Sequence, residues 1–296
     1  MEIGHRVKRA IKKIGKVILS PKPVYIQTAI AQLAPSELLA ERCALITGGT
    51  SGIGYAIAES FIRAGSNVII TGRDEKKLDK SISALRDIAT ESQKIYGFIM
   101  DNENVSCFES FLYKIKESIA KDGISYVDIL VNNAGVNCSP MPNATEEDYD
   151  RVMNINLKGA FFLSQMFGKY FVDNNIKGNI LNIASASSLR PADSAYTISK
   201  WGLRGLTLGL AKSLGQYGIT VNGIAPGPTA TPMMIKMGNT NMALDRIPLG
   251  RYIMPEEIAS MAVMLVSDAG RSIMGDIVYM TGGAGVLTYD DVKYSF

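Results

Sequence analysis

Residues 43–64 place three signals in one run. Cys43-Ala-Leu-Ile-Thr47 has the length and apolar character of a buried strand, Gly48-Gly-Thr-Ser-Gly52-Ile-Gly54 is a glycine turn, and Tyr55 to Ala64 has helical sequence. A strand that passes through such a turn directly into a helix is the start of a layered α/β unit. The turn also carries chemistry. Glycines let backbone N–H groups come close to a pyrophosphate, and the helix N-terminus adds partial positive charge. Gly48, Thr50, Ser51, Gly52, Ile53 and Gly54 are therefore candidate phosphate contacts. Their spacing is G-x3-G-x-G, not the G-x-G-x-x-G of the long-chain dinucleotide folds. Taken without its flanks, the same triplet is any tight turn.

The rhythm repeats down the chain. Asn67–Thr71 reads as a second strand, followed by Gly72-Arg73-Asp74. An acid at the end of this strand would grip a ribose 2′-hydroxyl, whereas an arginine nearby suits a 2′-phosphate. Gly72 stands at the acid's position and Arg73 follows it, which favours NADP(H) over NAD(H); the alternative is a solvated surface arginine. Ile95–Met100 is a third strand, ending at Asp101 and Asn102, which can flank an adenine ring. Val105–Ile119 reads as a helix and Val127–Val131 as a fourth strand that runs into Asn132-Asn133-Ala134-Gly135. Small residues there allow close backbone approach, and the amides can brace neighbouring strands. Thr145 opens a long helix with Glu147 in its first turn. Asn156 lies inside that helix among Met153, Ile155 and Leu157, although asparagine is a poor helix former. It either has a partner elsewhere or bonds its own backbone.

Ile180–Ile183, Ile219–Ile224 closed by Pro226-Gly227, and Ile277–Met280 complete the strands. Helices span about Ser194 to Leu214 and begin again at Pro255. Between them, residues 228–250 hold Met233, Met234, Met237 and Met242 and read as a substrate-covering loop with adaptable apolar side chains. Alternation of this kind predicts an α/β fold over residues 41–296: a doubly wound parallel sheet, Rossmann-like, in a single domain.

Within the helix from Ser194, Tyr196 and Lys200 lie four apart and share a face. A free phenol has a pKa near ~10 and is a poor base at neutral pH. A neighbouring cation favours the phenolate, so the pair is expected to lower the Tyr196 pKa towards the range useful for proton exchange with an alcohol or ketone oxygen. Ser185, eleven residues upstream, is placed to hydrogen-bond the same oxygen.

Composition removes competing classes. Hydrophobic residues make up 47% and charged residues 20% of the 296, as in soluble globular proteins. No apolar run approaches the ~20 residues of a membrane span, and no signal peptide is evident. Cys43, Cys107 and Cys138 have no metal spacing and read as free thiols of a reducing cytosol. His5 is the only histidine, so a histidine triad or histidine metal site is not available, and no metal is expected. The net charge of +3 is uneven: Arg6, Lys8, Arg9, Lys12, Lys13, Lys16 and Lys22 against Glu2 give residues 1–23 a charge of +6, leaving the rest at −3. Apolar residues at helical spacing make the start of the chain a basic amphipathic helix. Residues 1–40 thus read as an N-terminal extension. It packs on its own domain or a sister subunit, or contacts an anionic membrane surface peripherally through residues 1–20. Nucleic acid is not expected as a partner, because the basic charge does not continue into the domain.

Thr47-Gly-x-x-x-Gly-x-Gly54, Asn132-Asn-Ala-Gly135, Asn156, Ser185, Tyr196-x-x-x-Lys200 and Pro226-Gly227 occur in the order found in the short-chain dehydrogenase/reductase superfamily, which residues 40–288 resemble. Pro248-Leu-Gly-Arg251 with Pro255-Glu-Glu-Ile-Ala259 is similar to the group of β-ketoacyl-carrier-protein reductases and gluconate or sugar dehydrogenases. The resemblance implies an NADP(H)-dependent enzyme that interconverts a ketone and a secondary alcohol, located in the cytoplasm. It implies Tyr196 as general acid/base, Lys200 as the residue that lowers its pKa and binds the nicotinamide ribose, Ser185 as the group orienting the substrate oxygen, and Asn156 as the holder of a relay water. Asn133, Ala134, Gly135, Pro226, Gly227, Thr229 and Thr231 complete the expected cofactor contacts, Thr231 at the carboxamide. It also implies a homodimer or homotetramer, packed through helix faces that carry Phe161, Phe162, Leu163, Met166, Leu206, Leu208 and Leu210. Three features depart from the pattern: the extension, a Ser185-to-Tyr196 interval a residue or two short, and a non-basic Ser51 before the second glycine. A protein that keeps the fold and cofactor for regulation, without chemistry, is the rival reading.

Overall fold

The computed structural model describes residues 34–234 and 241–287. The chain divides into two units, Met1–Leu33 and Ala34–Phe296. The readings of the basic extension before residue 34, and of Met237 in the covering loop, lie outside the described residues. Residues 34–40 pack with the second unit: Leu39 is fully buried, and its N–H donates to Ala64 O at 2.8 Å.

Seven strands form one parallel sheet: β1 (Cys43–Ile46), β2 (Asn67–Gly72), β3 (Ile95–Ile99), β4 (Ile129–Asn132), β5 (Asn179–Ile183), β6 (Thr220–Pro226) and β7 (Ile277–Met280), in the order β3-β2-β1-β4-β5-β6-β7. The helices are α1 (Gly52–Arg63), α2 (Glu75–Arg86), α3 (Phe108–Ala120), α4 (Glu146–Met153), α5 (Gly159–Asp173), α6 (Ala195–Leu214) and α7 (Pro255–Val266). Alternation along the strands feeds two cores. Ala44 and Ile46 of β1 join α1, α2 and α7 on one face, while Cys43 and Leu45 join α3, α5 and α6 on the other. A sheet buried on both sides needs strands that are apolar throughout, and β1, β4, β5 and β6 are buried at every position. Among the described residues no helix is long and apolar enough to cross a membrane.

Strand order reverses between β1 and β4. In an open sheet of this kind, a crevice forms outside the carboxyl ends of the strands at that point. The opposite ends are tied by one residue. Arg42 pairs through Nε with Asp128, donates from Nη2 to Asn179 Oδ1 at 2.5 Å and from Nη1 to Val266 O at 3.2 Å. Asp128 Oδ1 accepts from Cys43 N at 2.9 Å. β4 begins at Ile129, two residues later than the apolar pattern suggests.

Three helices start on side-chain caps. Asp74 accepts from Lys77 N, Thr145 from Asp148 N, and Ser194 from Thr197 N. Helix α4 passes through one wide π turn, Asn154–Lys158, into α5. On α5 and α6, Phe161, Phe162 and Leu208 are exposed. Leu163, expected on the same face, is fully buried: it turns inward among Phe167, Phe171 and Ile180.

Candidate active site

A cleft of about 530 Å³ opens at the carboxyl ends of the strands. Its floor is the glycine turn. Gly48 and Gly52 have φ of +64° and +56°, a region that L side chains avoid. A Cβ on Gly54 would collide with Asn133 Nδ2 and Gly48 O. The turn is locked to the end of β4: Asn133 Nδ2 donates to Thr47 O at 2.9 Å and to Gly48 O at 3.1 Å, and Thr47 Oγ1 accepts from both Asn133 N and Ala134 N at 3.0 Å. Asn133 thus acts mainly as a brace beneath the cleft it lines. Asn132 does the same one strand over, donating to Asn182 Oδ1 at 2.9 Å. Helix α1 starts at Ser51 with no side-chain cap and no acid in its first turn. Close backbone approach, aligned N–H groups and uncancelled helix charge fit the pyrophosphate of a nicotinamide dinucleotide.

At one end of the cleft, Thr50, Gly72 and Arg73 come together, with Asp101 and Asn102 from the end of β3. A Cβ on Gly72 would stand 2.7 Å from Thr50 Cγ2, so an acidic side chain there would have to displace Thr50. At the other end lie Pro226, Gly227, Thr229 and Thr231. Thr231 folds back over the turn; its Cγ2 is 3.3 Å from the place a Gly52 Cβ would take.

Between them, α6 presents Tyr196 and Lys200 one turn apart. Lys200 is buried, donates from Nζ to Ile183 O at 2.8 Å, and stands 5.6 Å from the centre of the Tyr196 ring. Ser185 lines the cleft with Tyr196, and its hydroxyl lies near enough to the phenol to favour the phenolate. Burial lowers the Lys200 pKa to about 8. The same burial raises the Tyr196 pKa above its ordinary value, and the Ser185 hydrogen bond offsets only part of the rise. Lys200, expected from sequence to draw the phenol down, is not among the causes of this shift. Both groups are taken out of water, which penalises phenolate and ammonium alike.

Asn156 is 1% exposed and lies just behind the cleft wall. Its amide does not bond its own backbone. Nδ2 donates to Val136 O at 2.9 Å and to Ser199 Oγ at 3.2 Å, and Oδ1 accepts from Val136 N at 2.8 Å. The π turn sits at this residue, as wide turns often do at functional sites. Asn156 therefore fastens the loop after β4 to the helix of Tyr196.

Every cofactor contact expected from sequence lies on this one cleft, as do Ser185, Tyr196 and Lys200. The structure adds Asn137, Ile155, Arg190, Pro232 and Arg246 to the lining. Except for Ile155 these sit in loops without periodicity, and no spacing signal marks them.

The short chain dehydrogenase family model matches residues 42–241. A 3-oxoacyl-[acyl-carrier-protein] reductase of Thermotoga maritima is 34% identical over 246 residues, covering 81% of this chain and 96% of its own. Gluconate 5-dehydrogenase of Gluconobacter oxydans is 31% identical over 250 residues, covering 82% of this chain and 94% of its own. A short chain dehydrogenase from Burkholderia cenocepacia, solved in complex with NADP, superposes with a TM-score of 0.73 at 28% identity over 83% of this chain and 98% of that one. With the cradle, the Tyr–Lys pair and these relatives together, the chain belongs to the short-chain dehydrogenase/reductase family and is a nicotinamide-dependent oxidoreductase.

Proposed function

We propose that this protein reduces a ketone to a secondary alcohol with NADPH, using Tyr196 as the proton donor. One observation carries the reading: Ser185, Tyr196 and Lys200 line the same cleft as the glycine cradle. When bound, the reduced nicotinamide supplies the hydride. Ser185 and Tyr196 together hold the carbonyl oxygen of the substrate. A phenol whose pKa is raised by burial keeps its proton at neutral pH, which suits it to donate to the oxygen as that atom gains negative charge. Lys200, anchored on Ile183 O, keeps positive charge beside the donor. Gly48, Thr50, Ser51, Gly52, Ile53 and Gly54 would hold the pyrophosphate, Asp101 and Asn102 the adenine side, and Thr229 and Thr231 the nicotinamide side. The preference for NADPH rests on Arg73 and on the lack of room for an acid at Gly72.

The test is Tyr196→Phe in the full chain, assayed by NADPH oxidation over a panel of ketones that includes β-ketothioesters and sugar ketones. Turnover is expected to fall at least about a hundredfold, with nucleotide affinity nearly unchanged. Near-parental turnover in the variant removes Tyr196 from the chemistry. A parent that binds nucleotide but turns over no ketone favours the regulatory rival.

A further inference from the structure

The loop that leaves Ser185 is held from outside by the helix that carries Tyr196. Trp201, next to Lys200 on α6, donates from Nε1 to Arg190 O at 2.7 Å. Arg204, three residues on, donates from Nη1 to Ser188 O at 3.3 Å, and its guanidinium lies 5.4 Å from the Trp201 ring centre. Two adjacent side chains of one helix therefore grip two carbonyls of the same short stretch, the 3₁₀ turn Ala186–Leu189 and the residue after it.

Ser185 is the cap of that turn. Its Oγ accepts from Ser187 N at 3.1 Å, and its carbonyl accepts from Ser188 Oγ at 2.7 Å and Ser188 N at 2.9 Å. A 3₁₀ turn of four residues has little stability of its own, so what fixes its far end also fixes Ser185. The Trp201 ring is 41% exposed. It is poorly used as core filling, while its single N–H donor is committed to a loop carbonyl. The shortened Ser185-to-Tyr196 interval makes the arrangement tighter, because only ten residues separate the two reacting-site side chains.

We propose that Trp201 and Arg204 are positioning residues for carbonyl chemistry: they clamp the Ser185 loop to α6 and so hold Ser185 in its place beside Tyr196 on the cleft. The proposal rests on the reductase reading for its kinetic consequences and on geometry alone for its structural one. Releasing the clamp frees the turn, and Ser185 loses the fixed place from which its hydroxyl draws the proton affinity of Tyr196 down.

Trp201→Phe keeps an aromatic ring on α6 and removes the N–H donor together with part of the indole. In the full chain, amide hydrogen exchange at Ser188 and Arg190 is expected to accelerate about tenfold, while the amides of β5 keep their parental rates. Unchanged exchange at those two amides overturns the clamp, whatever the activity. Kinetically, kcat for ketone reduction is expected to fall about fivefold with NADPH affinity unchanged. In the reverse direction, the pH at which alcohol oxidation reaches half its maximum should move upward. A uniform loss of rate at every pH, with lower thermal stability and no shift of the profile, is what a purely structural tryptophan would give and refutes the positioning role. If the parent shows no Tyr196-dependent turnover at all, the reductase reading fails and the exchange data alone decide the clamp.

Discussion

Arg73 and Lys200 each answer to a single measurement. If Arg73 binds a 2′-phosphate, NADPH binds the parent more tightly than NADH, and Arg73→Ala weakens NADPH about tenfold or more while leaving NADH alone. Fluorescence titration of both nucleotides into both proteins decides this, and equal parental affinities would sink the assignment. For Lys200 the sign follows from burial, which lowers its pKa to about 8. Below that value the ammonium is present; above it the charge is lost while the phenol, with its raised pKa, stays protonated. Ketone reduction should therefore be level from pH 6 to 7.5 and decline through about pH 8. Lys200→Arg, which stays charged, should lack that decline at a lower plateau. A parental rate level up to pH 9.5 would show that the charge on Lys200 does not matter.

Among the elements, α7 offers a clean electrostatic test. Arg251 makes a two-point pair with Glu257, at 2.8 and 2.9 Å, and Glu257 Oε2 also accepts from Met254 N at 2.8 Å. Hydrogen bonding by Arg251 first, and by the Met254 N–H next, lowers the Glu257 pKa to about 2. A depressed carboxylate pKa contributes stability that is complete above the unfolded value, near ~4.3, and is lost as pH falls through the folded one. Both side chains are substantially exposed, so the contribution is at most about 1 kcal/mol. Glu257→Gln should lower Tm slightly at pH 7, and the gap to the parent should close between about pH 4 and 2; a gap that persists in acid would assign the effect to packing. The elements themselves were largely legible in sequence. Cys43–Ile46 into Gly48–Gly54 states its strand, turn and helix outright, and Thr145 and Ser194 announce the helix starts they cap. The rest depended on contacts between distant residues. Nothing near Asp128 shows that Arg42 will claim it. Nor does the Tyr196–Lys200 spacing reveal that Lys200 is buried and Tyr196 partly so, which decides the direction of their pKa values.

For the whole molecule, the exposed apolar side chains point to assembly. Phe161 and Phe162 on α5, with Ile198, Trp201 and Leu208 on α6, are all more than a third exposed. Exposed large apolar side chains on two helices are what a surface shared between subunits offers. Light scattering at micromolar concentration is expected to give a dimer or tetramer, and Phe161→Asp with Leu208→Asp to lower the mass. A monomeric parent would count against assembly through this face.

The wide turn at Asn156 has a consequence for the long helix as a whole. Buried positions fall in adjacent pairs, Ile155–Asn156, Gly159–Ala160, Leu163–Ser164 and Phe167–Gly168. The π turn Asn154–Lys158 closes on i+5 rather than i+4 hydrogen bonds, one residue more than an α turn. The helix has absorbed one surplus residue in its winding. Its two ends are therefore out of phase by roughly the angle of one residue, about 100°. The extra residue falls at the point where the amide of Asn156 must reach both Val136 and Ser199, so the winding of this helix is set where it meets the loop after β4 and α6.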